Sequence, residues 1–178
     1  MKLILRALLF VMLAPVPAFA HAVVFPKASE GGAYEKYVLR VPNEKDNPTT
    51  RVEIRFPKAL RVVSFGEVQG WQLQEIRDTA NAVIGAIWTG SLPAERFVEF
   101  PFVAVNPESP ANLSWPTYQT YANGERVDWT GPEGSQHPAS STTIGSRDTP
   151  LTRTAFHLAA AALLVALLSL GLALRKRA

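Results

Sequence analysis

Residues 51–56 read Arg-Val-Glu-Ile-Arg-Phe, and residues 36–41 read Lys-Tyr-Val-Leu-Arg-Val. In the first stretch Val52, Ile54 and Phe56 alternate with Arg51, Glu53 and Arg55. In the second, Tyr37, Leu39 and Val41 share one side, with Lys36 and Arg40 opposite. A period of two places alternate side chains on opposite faces of an extended strand, so each stretch predicts a strand with one face on a core and one in water. Such one-sided strands belong to antiparallel sheets. Working outward, segments rich in Val, Ile, Phe, Tyr and Trp and bounded by Pro, Gly, Asn or Asp predict strands over 21–25, 34–41, 51–56, 61–68, 71–77, 82–89, 96–105, 112–121 and 126–129. Val68-Gln69-Gly70 and Asn123-Gly124 carry turn chemistry. Nine short strands with no helical period between them predict an all-β fold, a β-sandwich.

The two ends of the chain have a different character. Residues 1–20 carry Lys2 and Arg6, a mostly apolar run over 3–13, Pro15 and Pro17, and then Ala18-Phe19-Ala20. This is the form of a secretory signal peptide with a small-x-small cleavage site, and it is too short and too broken for a good membrane span. Residues 155–174 are nearly all Ala, Leu and Val, with no polar face. As a helix at about 1.5 Å per residue they would extend about 30 Å, the thickness of a bilayer core. Arg175-Lys176-Arg177 follows, so the tail at 175–178 is expected on the cytoplasmic side. The expected arrangement is one exported domain over 21–134, a Ser/Thr/Pro/Gly-rich spacer over 135–154, and a single membrane-spanning helix. That helix would tether the domain to the cytoplasmic membrane, in the periplasm or extracellular space. Eighteen Lys+Arg against fifteen Asp+Glu make the whole chain +3. Five of the basic residues lie in the two ends, leaving thirteen against fifteen, or −2, for the exported part. That balance gives no basic surface for nucleic acid.

Cysteine is absent, and the two methionines, Met1 and Met12, both fall within the signal. An exported domain without cysteine relies on its core rather than on disulfides. It also holds no soft sulfur ligand. If cleavage follows Ala20, the chain begins with His21, whose free α-amine and ring Nδ1 can close one chelate ring on a metal ion. Amine, imidazole and carboxylate suit a tetragonal ion, above all Cu(II). A lone histidine needs further ligands. His137 falls in the expected spacer and is expected to be solvated, which argues against a two-histidine brace. Glu35, Glu44 and Asp46 are the near carboxylates, and spacing does not choose among them; the ordinary fate of each is a solvated strand or turn position. Trp71, Trp88, Trp115 and Trp129 read as core or near-core side chains, with Trp129 in a polar stretch suited to a site wall. No Ser-His-Asp pattern, Gly-rich phosphate loop or CxxC is present to mark an enzyme.

The order of several motifs carries a resemblance. His21-Ala22-Val23-Val24 is followed by Gly32-Ala33-Tyr34-Glu35-Lys36-Tyr37, Arg40-Val41-Pro42-Asn43-Glu44 and Thr49-Thr50-Arg51-Val52. Then come Gly70-Trp71, Phe100-Pro101-Phe102-Val103-Ala104, Asn106-Pro107, Tyr118-Gln119-Thr120-Tyr121, and Asn123-Gly124 through Trp129-Thr130-Gly131. From His21 to about Ile144 the chain resembles the YcnI-like family of exported, membrane-tethered copper-binding proteins. The resemblance implies an immunoglobulin-like β-sandwich and a Cu(II) site termed a monohistidine brace. In it the N-terminal histidine binds through amine and ring, the glutamate of the Val-Pro-x-Glu motif adds an oxygen, and the tryptophan of the Trp-Thr-Gly motif lies beside the metal. These fall on His21, Glu44 and Trp129, so the resemblance selects Glu44 where spacing did not. It also implies a role in copper trafficking beside a copper transporter or copper chaperone. Two other classes are an immunoglobulin-like interaction module without metal and a copper-dependent oxidase.

Overall fold

The computed structural model describes residues 21–147, 158–159 and 161–163. Twelve strands lie among them: β1 (Val23–Phe25), β2 (Ala28–Glu30), β3 (Tyr34–Asn43), β4 (Thr49–Arg55), β5 (Arg61–Phe65), β6 (Gln72–Arg77), β7 (Val83–Leu92), β8 (Arg96–Val105), β9 (Ala111–Trp115), β10 (Thr117–Tyr121), β11 (Arg126–Trp129) and β12 (Ser140–Gly145). They form a four-stranded sheet in the order β1-β3-β8-β5, a five-stranded sheet in the order β11-β10-β4-β7-β6, and a small sheet β2-β12-β9. All pairings are antiparallel except β12 with β2. The expected turns are present: the Trp71 N–H donates to the Val68 carbonyl at 3.1 Å, and Gly124, at φ 84°, closes on Tyr121 at 3.0 Å.

The alternation that announced the strands sets the core. Tyr37, Leu39 and Val41 of β3 and Val52 and Ile54 of β4 are fully buried. They meet an aromatic layer in which Trp88 of β7 stacks on Phe100 of β8, with centroids 4.5 Å apart, and Tyr37 packs on Trp115 of β9 at 5.0 Å. Strands of both large sheets therefore share one hydrophobic interior.

One outward position departs from the simple pattern. Glu53, expected on the wet face, is 7% exposed. Arg51 donates to one carboxylate oxygen at 2.6 Å, and Arg55 donates to the other through Nε at 2.8 Å. Burial alone would raise the Glu53 pKa, but the two arginines outweigh it and hold the group below its ordinary value. A depressed folded-state pKa contributes stability in full above the unfolded carboxylate pKa of about 4.3, and loses it as pH falls through the folded value. Glu53→Gln is expected to lower unfolding free energy by about 1–2 kcal/mol at pH 7. The difference from wild type should shrink at about pH 3, as urea titrations at both pH values would read.

Three expectations are corrected. The spacer does not begin at 135, because Ser140–Gly145 is a strand paired on both sides, with Ser140, Thr142 and Ile144 buried. The folded domain thus runs past its expected end at 134. The run 112–121 is two strands, divided at Pro116. β2 had no counterpart in the expected strands. The expected signal at 1–20, the spacer remainder at 148–154 and the tail at 175–178 lie outside the described residues. So does the expected span at 155–174, apart from 158–159 and 161–163, which are helical. Among the described residues no helix is long and apolar enough to cross a membrane.

Candidate metal centre

The first large sheet ends in β1 and the second in β11. His21, just before β1, meets Trp129 of β11, and Trp129 lines a cavity with Glu44, although His21 is not among that cavity's lining residues. His21 immediately precedes Ala22, which is 2% exposed, and Val24, which is fully buried. These two buried neighbours anchor the chain beside the half-buried His21. Its imidazole meets the Trp129 indole edge-on, with centroids 5.6 Å apart at 64°. Trp129, the last residue of β11, is 6% exposed and belongs to the core cluster.

Trp129 is held by a polar link that reaches the Glu44 segment. Its indole N–H donates to Gln119 Oε1 at 3.2 Å. Gln119, fully buried on β10, donates through Nε2 to the Pro42 carbonyl at 2.8 Å and to Thr49 Oγ1 at 2.7 Å. Thr49 can face inward because β4 carries a bulge: the pairing skips from Thr49 to Arg51 against both β7 and β10. The extra residue shifts the side-chain parity, so Thr49 and Val52 both point into the core. The turn after Pro42 is fixed by Asn43, whose Nδ2 donates to the Asn47 and Leu92 carbonyls, both at 3.0 Å, and whose Oδ1 accepts from the Lys45 N–H at 3.0 Å. Glu44 sits between these anchored neighbours with an exposed side chain.

Glu44 and Trp129 line one cavity of about 830 Å³, with Tyr121, Asp128, Gln136 and His137. Burial, with the negative charges of Glu125 and Glu44, pushes the Tyr121 phenol up to about 12, so it stays neutral. Lys45 is ion-paired with Glu125, and Arg126 with Asp128 at 2.6 Å. Of the other carboxylates weighed from sequence, Glu35 is engaged elsewhere: it accepts from Ser29 Oγ at 2.5 Å and lies opposite Ala104 at the other end of β3. Asp46 is exposed in the turn and is not among the cavity's lining residues.

His137 corrects an expectation. It is half-buried rather than solvated, and its ring meets Trp129 edge-on at 5.0 Å and 85°. Gln119 also went unread; the signal was its place in Tyr118-Gln119-Thr120-Tyr121, where the period of two points it inward between Thr117 and Tyr121. Among the described residues no group of three His, Asp or Glu side chains is arranged to hold a metal ion.

Residues 21–144 match the family model described as "Domain of unknown function (DUF1775)". The chain is 36% identical over 132 residues to the copper-binding protein CutI of Bacillus subtilis (strain 168), covering 73% of this chain. The chain spans 65% of the length of that relative. Among solved structures it is similar to a protein from Nocardia farcinica described as having an immunoglobulin-like fold. The TM-score is 0.62 and the identity 23%, over 71% of this chain and 99% of that one. The sandwich is therefore immunoglobulin-like, as expected. Matched by the family model from His21 to Ile144, the chain belongs to the DUF1775 family, the YcnI-like family that its motifs resemble.

Proposed function

We propose that this chain binds copper as Cu(II) through a monohistidine brace and acts in copper trafficking or homeostasis at the outer face of the cytoplasmic membrane. The carrying observation is the edge-on contact of the His21 imidazole with Trp129, which walls the cavity that Glu44 also lines. The similarity to the Bacillus copper-binding protein CutI supports copper as the cargo. The donor chemistry fits: residues 21–178 contain neither Cys nor Met, so nitrogen and oxygen are the available ligands, and these favour the oxidised ion.

In this reading signal cleavage frees the α-amine of His21, which with ring Nδ1 supplies two nitrogens, while Glu44 supplies a negative oxygen. Trp129 limits water on one side. Amines titrate near 8 and imidazoles near 6.5 as isolated groups, and a metal displaces their protons, so binding weakens as pH falls below about 7. Reduction to Cu(I) weakens a site without sulfur and offers a release step toward a copper transporter or chaperone. Copper is cargo here rather than a catalytic centre. The C-terminal helix holds the domain at the membrane.

The test is titration of the processed protein with Cu(II), read by electron paramagnetic resonance, beside Glu44→Ala. Losing a carboxylate ligand is expected to weaken affinity by on the order of 100-fold, at or beyond the upper end for groups that merely orient a ligand, and to shift the spectrum. An unchanged spectrum and affinity in Glu44→Ala would remove Glu44 from the site.

A further inference from the structure

We propose that His137 is a positioning residue of this centre: the loop that carries it packs a second imidazole against Trp129 and sets where the indole stands relative to His21 and Glu44. Its bearing on copper rests on the reading above; its bearing on Trp129 rests on geometry alone.

The loop is built for this placement. It leaves β11 at Trp129 and enters β12 at Ser140, so both ends are tied to strands. Within it the Gly131 N–H donates to the His137 carbonyl at 2.9 Å, and the Ala139 N–H donates back to the Gly131 carbonyl at 2.9 Å. The Ser135 N–H donates to the Pro132 carbonyl at 3.1 Å, folding the intervening residues over. A Cβ on Gly131 would stand 2.3 Å from Ser135 Oγ and 3.0 Å from the His137 carbonyl oxygen, so an added methyl would displace the serine hydroxyl and crowd the closure. At the far end Ser140 Oγ accepts from the Val24 N–H at 2.8 Å, which couples the loop's exit to the strand that follows His21.

The indole is thereby held on several sides. Gln119 takes its N–H, His21 meets it at 5.6 Å, and His137 meets it at 5.0 Å, nearly perpendicular. Edge-to-face ring pairs have a preferred geometry, so the second imidazole fixes an orientation as well as filling space. His137 and Glu44 line the same cavity, so a displaced indole changes the surroundings of Glu44 too.

The experiment uses the processed full-length protein in detergent, with 15N-labelled tryptophan and Cu(II) as the probe. The Trp129 indole resonance is assigned by Trp129→Phe. In His137→Ala that resonance is expected to move in the metal-free protein. Cu(II) affinity should fall about 3- to 10-fold, the loss of one aromatic pair, with a shifted paramagnetic spectrum. His137→Phe keeps a ring against the indole and is expected to restore all three readings. Gly131→Ala, which retains His137 but disturbs its loop, should reproduce the His137→Ala changes and serves if that variant folds poorly. Wild-type resonance and spectrum in both His137→Ala and Gly131→Ala would overturn the proposal. So would failure of His137→Phe to restore the spectrum together with loss of one nitrogen coupling, which would make His137 a ligand. If wild type binds no Cu(II), the copper reading itself fails, and the positioning role at a copper site fails with it even where the metal-free resonance moves.

Discussion

One glycine added in front of His21 in the processed protein is expected to abolish the proposed brace while leaving the fold intact. The added residue converts the His21 nitrogen from a primary amine into a peptide amide, whose lone pair is delocalised into the carbonyl. The ring nitrogen then loses its chelate partner. Changes in groups that merely orient a ligand cost about 10- to 100-fold in metal affinity, so removal of a ligand should exceed that, on the order of 100-fold or more. The fold should not follow. His21 precedes β1 and is half-buried, while Ala22 and Val24 supply the buried anchors of that end. Unfolding free energy should change by no more than about 0.5 kcal/mol, the usual range for a change away from the core. Cu(II) titration and urea unfolding of the two proteins side by side separate these effects. Equal copper affinity with and without the glycine would end the brace reading; absence of copper binding in both would favour the interaction module without metal.

Trp115→Ala is expected to cost about 3–5 kcal/mol, the largest loss of stability at any position considered. Trp115 is fully buried, 5.0 Å from Tyr37 and 5.9 Å from Phe102, and its Nε1–H donates to Thr142 Oγ1 at 3.0 Å. Truncation opens a cavity beneath the small sheet and removes the bond that joins β9 to β12 through their side chains. Urea unfolding with tryptophan fluorescence measures the loss, and Trp115→Phe, which keeps a ring, should recover part of it. A loss under about 1 kcal/mol for Trp115→Ala would mean that the β12 sheet stands without this core contact.

The strands that announced the fold were legible because one face is apolar and the other charged. β11 keeps its expected bounds for that reason, and β8 does so through its dense run of Phe and Val. β12 hid because its inward positions are Ser140, Thr142 and Ile144, which read as a polar stretch. Hydrogen bonding makes those hydroxyls tolerable in the interior: Ser140 accepts from Val24, and Thr142 accepts from Trp115 while donating to the Pro26 carbonyl at 2.8 Å. Such partners are set by tertiary contacts, not by neighbours in sequence. Pro116 divides the run 112–121 because it lacks an N–H; the chain leaves the small sheet at Trp115 and joins the large one at Thr117. At the candidate site, the expected cleavage junction singles out His21, and the family motifs single out Glu44 and Trp129. Neither points to His137, since its place depends on a loop closure over Gly131 that local composition does not reveal. Glu53 was misread for a related reason: its two arginines are the residues at i−2 and i+2 on its own face, so a charged side of a strand became a buried ion cluster.

The bond from Val24 to Ser140 spans 116 residues and joins the strand after His21 to the last strand of the domain. A chain synthesised from its N-terminus presents His21 early, and the hydroxyl that accepts from the strand after it only much later. A polypeptide ending before Ser140 would carry the histidine without that contact, so the framework beside His21 is complete only once the last strand of the domain is in place.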